Sequence, residues 1–260
     1  MHGCYHPPVE DAFSRWCGAL ERRHLSELRF SEVRRALQAL SSLYVERRSR
    51  LAAGAVFDGA GKRAAFALFY GPLHWLTVRS VLREIGTERT ARGLGRIADL
   101  GCGTGAAGAA WALEADPRAS VVGVERNPWA AAEARWTLRE SGLSGRVVRG
   151  DLTRARLPGP GGAVALAWTV NEIAAPDRDR LLPQLVEAAG RGARVLVVEP
   201  IARGIGSWWA SWAEAFRKAG GREDEWRVAA ELPELVSRLD RAAGLDHGRL
   251  TARSLWLGDP

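Results

Sequence analysis

The sequence predicts an α/β fold, an open sheet preceded by a helical N-terminal extension, on three observations. One stretch, residues 96 to 110, runs from a short apolar segment (Ile97 to Leu100) through Gly101, Gly103 and Gly105 into an alanine-rich segment. From there to about residue 200, apolar segments ending in acids or polar pairs alternate with helix-like sequence. The front third instead repeats its apolar residues at three- and four-residue spacing, which is a helical pattern.

The glycine stretch organises the rest. Ile97 to Leu100 read as a buried strand and Ala106 onward as a helix. Glycines between them permit positive φ and close approach of a ligand to the backbone, and the helix N-terminus offers unpaired amides. Such a turn cradles a nucleotide-like cofactor at the carboxyl end of the first strand. Gly101-x-Gly103-x-x-Ala106 also satisfies the relaxed fingerprint for NAD or FAD. Asp99 adds a carboxylate at the strand end, costly to bury unless it is hydrogen-bonded or meets a cation. The ammonium of a methionine moiety is such a cation.

Asp99-Leu-Gly101-Cys102-Gly103-Thr104-Gly105 resembles motif I of the class I S-adenosylmethionine (SAM) methyltransferases. The resemblance implies a seven-stranded Rossmann-like methyltransferase sheet from about Arg92 to the end, with residues 1–91 as a helical, basic extension. It also implies SAM as cofactor. Glu125 ends the next apolar segment, 24 residues after Gly101. A carboxylate there accepts hydrogen bonds from a ribose diol in dinucleotide folds, and the resemblance gives Glu125 that role for SAM. Arg126 follows it beside the adenosine. Asp151 and the Leu152 amide are expected at the adenine, although an aspartate in a turn also serves as a cap. Tyr70 and His74 flank Gly71-Pro72 in a segment that, by the resemblance, covers the cofactor pocket, and Thr169 is placed at the same pocket.

The fourth strand, from Ala163, runs into Asn171-Glu172. By the resemblance this end lies near the sulfonium, which makes Glu172 and Asn171 the candidate catalytic residues. A carboxylate there accepts a substrate proton or faces the sulfonium charge. The alternative is a helix N-cap with a first-turn acid. The Asn/Asp-Pro-Pro-Tyr/Phe tetrapeptide of many exocyclic-amine N-methyltransferases is missing, as is the Pro-Cys of enzymes that attack cytosine C5. Asn-Glu at this point and the helical front end distantly resemble methyltransferase-like proteins associated with small ribosomal subunits, without the cysteine cluster of many of those.

Charge divides unevenly. Up to Arg96 there are 15 Arg and one Lys against nine acids, which accounts for the whole formal +7 of the 260-residue chain. A basic region beside a neutral core suggests an anionic partner, with RNA, ribosomal RNA included, the natural candidate. A small-molecule acceptor under a helical lid and a non-catalytic, SAM-binding assembly factor are the alternatives. Cys4, Cys17 and Cys102 are odd in number and widely spaced, which suits a reducing cytoplasm. No secretory signal or membrane span is expected, and the five scattered histidines predict no metal site. Oligomeric state is not readable.

Further elements follow from local pattern. Residues 9–24 predict a helix, and Ser31 is expected to cap a second one bearing Val33, Leu37, Leu40 and Tyr44 on its apolar face. Arg47, Arg48 and Arg50 suit its C-terminus. Residues 62–85 predict a helix broken at Gly71-Pro72. Asp116-Pro117 ends the helix after the glycine turn. Strands are expected at 120–125, 145–150 and 193–200, helices at 128–141, 177–189 and 232–243, and a late antiparallel strand at 249–257. Trp129 and Trp136 are expected to pack on the sheet, and the aromatics at 208, 209, 212 and 216 to form one apolar helix face.

Overall fold

A computed structural model describes residues 9–46, 57–115, 118–201 and 208–258, without the side chains of 9–11 and 43–46. Arg47, Arg48, Arg50, Asp116-Pro117 and the Tyr44 side chain therefore lie outside the described residues.

Seven strands form one sheet in the order β3-β2-β1-β4-β5-β7-β6. The first five, β1 (Arg96–Leu100), β2 (Ser120–Glu125), β3 (Gly145–Arg149), β4 (Gly162–Ala167) and β5 (Arg194–Glu199), are parallel. The last two, β6 (Arg222–Ala229) and β7 (Arg249–Leu257), are antiparallel to their neighbours. Order reverses between β1 and β4, the switch point at which open α/β sheets form a crevice at their carboxyl ends. Because β7 runs antiparallel, its first residues reach that same edge.

Alternation along the strands feeds two cores. Ile97, Val121, Ala163 and Leu196 face the layer of α1 (Val9–His24), α2 (Phe30–Glu46), α4 (Gly71–Ile85), α6 (Ala106–Glu114) and α7 (Pro128–Glu140). Ala98, Leu100, Val164 and Val197 face α8 (Ala175–Gly190) and α9 (Trp209–Lys218). The expected aromatic face of α9 is buried, with Trp208 just before it.

Four local expectations are revised. Helix α2 begins at Phe30, two residues before a Ser31 cap would start it, and Ser31 lies inside it. Glu32 Oε2 accepts from the Arg29 amide at 2.8 Å, so the cap is half of a capping box and not the Ser31 hydroxyl. The chain from Ala60 to Ile85 is not broken at Gly71-Pro72. It passes from α3 (Ala60–Ala65) through a π-helical turn (Phe66–Tyr70) into α4, with the Gly71 amide donating to the Phe66 carbonyl. The wide turn accommodates Pro72, which has no amide for an α-helical bond. The two tryptophans of α7 turn to the N-terminal region: Arg23 lies over Trp136 at 4.9 Å, and Trp129 meets Phe57 and Arg63. Strand β6 was not foreseen, because Arg-Glu-Asp-Glu-Trp-Arg carries the charge of an exposed edge strand and little apolar alternation.

After α5 (Thr87–Thr90) the chain enters β1. The N-terminal helices share one apolar core with the sheet. Trp16 Nε1 donates to Thr137 Oγ1 on α7, and Arg23 and His24 both hold the buried Glu133 carboxylate, His24 at 2.7 Å. Arg79 and Arg83 on α4 reach Glu114 on α6. No helix among the described residues is long and apolar enough to cross a membrane.

Candidate active site

The strand–turn–helix at β1 builds the floor of a cleft. Gly101, Gly103 and Gly105 all have positive φ, at 69°, 52° and 83°. A Cβ on Gly105 would stand 3.1 Å from Ala134 of α7, so this glycine serves packing and does not line the cleft. A Cβ on Gly103 would meet no protein atom within 4 Å. Gly103 thus leaves bare backbone facing the cleft.

Asp99 is buried, and its Oδ2 accepts the Gly108 amide in the first turn of α6 at 2.9 Å. Gly108 is needed there, because a Cβ would fall 2.6 Å from that oxygen. Burial pushes the Asp99 carboxyl up to about 7, against the pull of the Gly108 bond and with a contribution from Glu125. Glu125, at the end of β2, accepts the Gly103 amide at 3.0 Å and the Asn127 amide at 2.7 Å, one on each carboxylate oxygen. Each oxygen keeps a lone pair for a further donor. Asn127 Oδ1 caps α7 through the amides of Trp129 and Ala130. The Cys102 thiol is raised well above its ordinary value, chiefly by burial.

The cleft, about 1180 Å³, gathers Asp99, Gly101, Cys102, Gly103, Thr104, Glu125, Arg126, Asp151, Leu152, Thr169, Glu172, Tyr70 and His74. Thirteen of the fifteen residues singled out in the sequence therefore share one wall system, and Gly105 and Asn171 do not. Asp151 Oδ1 accepts both the amide and the hydroxyl of Thr153, at 2.9 and 2.8 Å, so it does serve as a turn cap. Those two bonds, backbone first, lower its pKa. Asn171 points away from the cleft. Its Nδ2 donates to Glu199 Oε2 at 2.5 Å and its Oδ1 accepts from Trp208 Nε1 at 2.9 Å. Glu199 Oε1 also takes the amides of Val170 and Asn171. The Asn171 side chain thus fastens the turn after β4.

Glu172, the next residue, opens onto the cleft. Glu172 stays exposed at the open side of the cleft; the cleft atoms around its carboxyl push it up to about 7, with Arg126 pulling it down and Glu125 pushing it up.

Aromatic rings wall the rest. Trp168 has φ 55°, the only positive φ outside glycine among the described residues, a conformation that costs an L-residue about 1–2 kcal/mol. Its ring stacks on His74, centroids 3.8 Å apart and planes 10° apart. Burial lowers His74 to about 3, so the imidazole is neutral. Tyr70 and Phe66 adjoin His74, and burial raises the Tyr70 hydroxyl to about 12. The π turn allows Phe66 and Tyr70 to stand on the His74 side.

Sequence reading missed Trp168, Glu199 and His247, which also lines the cleft. Glu199 carried the signal that selected Asp99 and Glu125, an acid at a strand end. His247 carried none.

Residues 97–192 match the family described as a methyltransferase domain. They form a methyltransferase domain. No curated protein matches the sequence. Among solved structures, the chain resembles an O-methyltransferase family protein from Burkholderia thailandensis, with TM-score 0.55, 16% identity, and 93% of this chain and 76% of that one covered. It also resembles magnesium protoporphyrin IX methyltransferase (ChlM) from Synechocystis PCC 6803 with bound SAM, at TM-score 0.49 and 15% identity over 90% of this chain and 99% of that one. The methyltransferase uses SAM as its methyl donor. Its residues fit that donor: bare backbone at Gly103, free lone pairs on Glu125, and a buried carboxylate at Asp99.

Proposed function

We propose that this methyltransferase acts on a planar aromatic acceptor, a phenol- or heterocycle-like ring supplied as a small molecule. The observation that carries this reading is the stacked His74–Trp168 pair, held by a strained backbone next to Thr169 and the glycine turn. A flat ring slides against such a wall with favourable offset or edge geometry. Leu73, Phe66 and Leu250 extend the apolar lining.

In this reading Asp99 and the Gly101–Gly105 turn receive the amino-acid part of the donor, and Glu125 receives its ribose. Arg126, Asp151 and the Leu152 backbone border the adenine, while Thr169, Tyr70 and His74 stand at the junction with the acceptor. Bound SAM supplies an electrophilic methyl group on a sulfonium cation. Glu172 contributes negative charge facing that cation, held in place rather than supplied by reorganising solvent. Holding acceptor and donor in line supplies much of the rate.

A small molecule is favoured over RNA because three arginines of the basic front end meet acids of the methyltransferase part of the chain. Arg23 goes to Glu133, and Arg79 and Arg83 go to Glu114. The test is incubation of methyl-labelled SAM with host extract, followed by separation of RNA, protein and small molecules. Label in an aromatic small-molecule fraction is expected, lost on Glu172→Gln. Label in RNA that disappears with the same change would transfer the assignment to RNA. SAM binding with no labelled fraction would point to an assembly factor.

A further inference from the structure

Helix α10 (Glu234–Ala243) ends at Gly244 in the left-handed conformation, φ 74°, and a short loop then enters β7. Since β7 is antiparallel to β5 and pairs Arg253 with Glu199, residues before Arg253 overhang the edge where β1, β2 and β4 end. Topology alone thus delivers the 245–248 loop to the methyl-transfer cleft. His247, Asp246 and Arg249 line it.

One carboxylate fixes this loop. Asp240 is buried, its Oδ2 accepts the His247 amide at 2.8 Å, and its Oδ1 meets His247 Nδ1 at 2.6 Å. The Leu245 amide donates to the Asp240 carbonyl at 2.9 Å. A carboxylate on Nδ1 selects the tautomer with its proton on Nδ1, leaving Nε2 a bare acceptor. The imidazole stands edge-on to Phe69, centroids 5.3 Å apart and planes at 83°, one residue before Tyr70 of the acceptor wall.

Several other acid–base groups of the cleft are already engaged. Asp99 and Glu125 hold backbone amides, Asp151 holds Thr153, and Glu172 is already assigned to the sulfonium in the function proposed above. His74 lies flat on Trp168 as a neutral ring. Methylation of a neutral hydroxyl leaves an extra proton on the oxygen, and a phenol with a tyrosine-like pKa near ~10 is scarcely ionised at neutral pH. A positioned imidazole contributes roughly 10²–10⁴-fold to such a reaction.

We infer that His247, oriented by Asp240, is the proton acceptor for a hydroxylated aromatic acceptor, an inference that rests on the acceptor class proposed above. The acceptor O–H bond breaks with its electron pair remaining on oxygen, and the proton goes to His247 Nε2. That pair forms the new O–CH3 bond, while the S–CH3 pair stays with sulfur. His247 is the catalytic residue and Asp240 a positioning residue.

The full chain saturated with S-adenosylhomocysteine, which cannot turn over, is titrated with para-nitrophenol while phenolate absorbance is followed against pH. Bound para-nitrophenol is expected to ionise at a pH lower than the free phenol by on the order of one unit. His247→Gln should abolish that shift while binding persists, and Asp240→Asn should reduce it by reversing the tautomer preference. In the wild type, ¹⁵N NMR of the His247 ring should report protonated Nδ1 and bare Nε2. A shift retained in His247→Gln, or a protonated Nε2, overturns the inference and leaves the acceptor class standing. Failure of para-nitrophenol to bind the wild type overturns both.

Discussion

Gly101 lies directly against Thr169. A Cβ on Gly101 would sit 2.5 Å from Thr169 Cγ2, and Thr169 Oγ1 bonds the Gly101 carbonyl at 3.3 Å. The donor turn after β1 and the turn after β4 are therefore in contact, with Trp168 and Glu172 on the second of them. Gly101→Ala forces these turns apart as well as straining φ, and should cost roughly 1–3 kcal/mol of stability. Gly103→Arg meets open cleft, so its melting temperature should fall by only a few degrees while calorimetry finds no SAM binding. Retained SAM affinity in Gly103→Arg would remove the turn from the donor site.

Glu172 gives a pH signature. Its carboxyl is raised in the folded state from 4.5 to about 7, so between those values the folded protein holds more protons than the unfolded chain. Stability from this group therefore falls as pH rises through that window. Glu172→Gln should flatten that part of the stability–pH curve and stabilise the protein above pH ~7, measured by urea unfolding.

The same carboxylate attracts a cation when ionised. SAM affinity should rise from pH ~6 to ~8 more than that of S-adenosylhomocysteine, which has no sulfonium, and Glu172→Gln should narrow the difference. Parallel pH profiles for the two ligands would place Glu172 away from the sulfonium.

Trp168 combines strain with ring contact. Trp168→Gly relieves left-handed backbone but loses the His74 stack, so stability should change by no more than about 1 kcal/mol. The KM for an aromatic acceptor should rise several-fold with SAM affinity unchanged. Equal losses for donor and acceptor would mean that the ring shapes the whole cleft.

Glu133 is the hinge pin of α1, held by His24 and Arg23. Glu133→Ala should cost roughly 1.5–3 kcal/mol and speed proteolysis within α1. Stability equal to wild type would show that apolar packing alone holds the helix.

The parallel half of the sheet was legible because its elements repeat a strand, a turn and a helix within short spans of chain. Asp99, the three glycines, Glu125 and Glu172 could be found by their position at strand ends, without knowing what they touch. The same logic reached Asn171, whose direction is decided by Glu199 and Trp208, 28 and 37 residues further on. Charge counting placed a basic surplus in the front third, but Glu114 and Glu133, which answer several of those arginines, lie in the other part of the chain.

By itself, then, the sequence determined the strand–glycine–helix nucleus, the order of the acids along the cleft and the donor chemistry, since each depends on neighbours within a few tens of residues. Tertiary structure alone decided which of those side chains face the cleft. It stacked His74 on Trp168, turned Asn171 away, and carried His247 in on an antiparallel strand. The reason is that contacts across long stretches of chain leave no spacing or periodicity in the sequence; they exist only once packing has closed the distance.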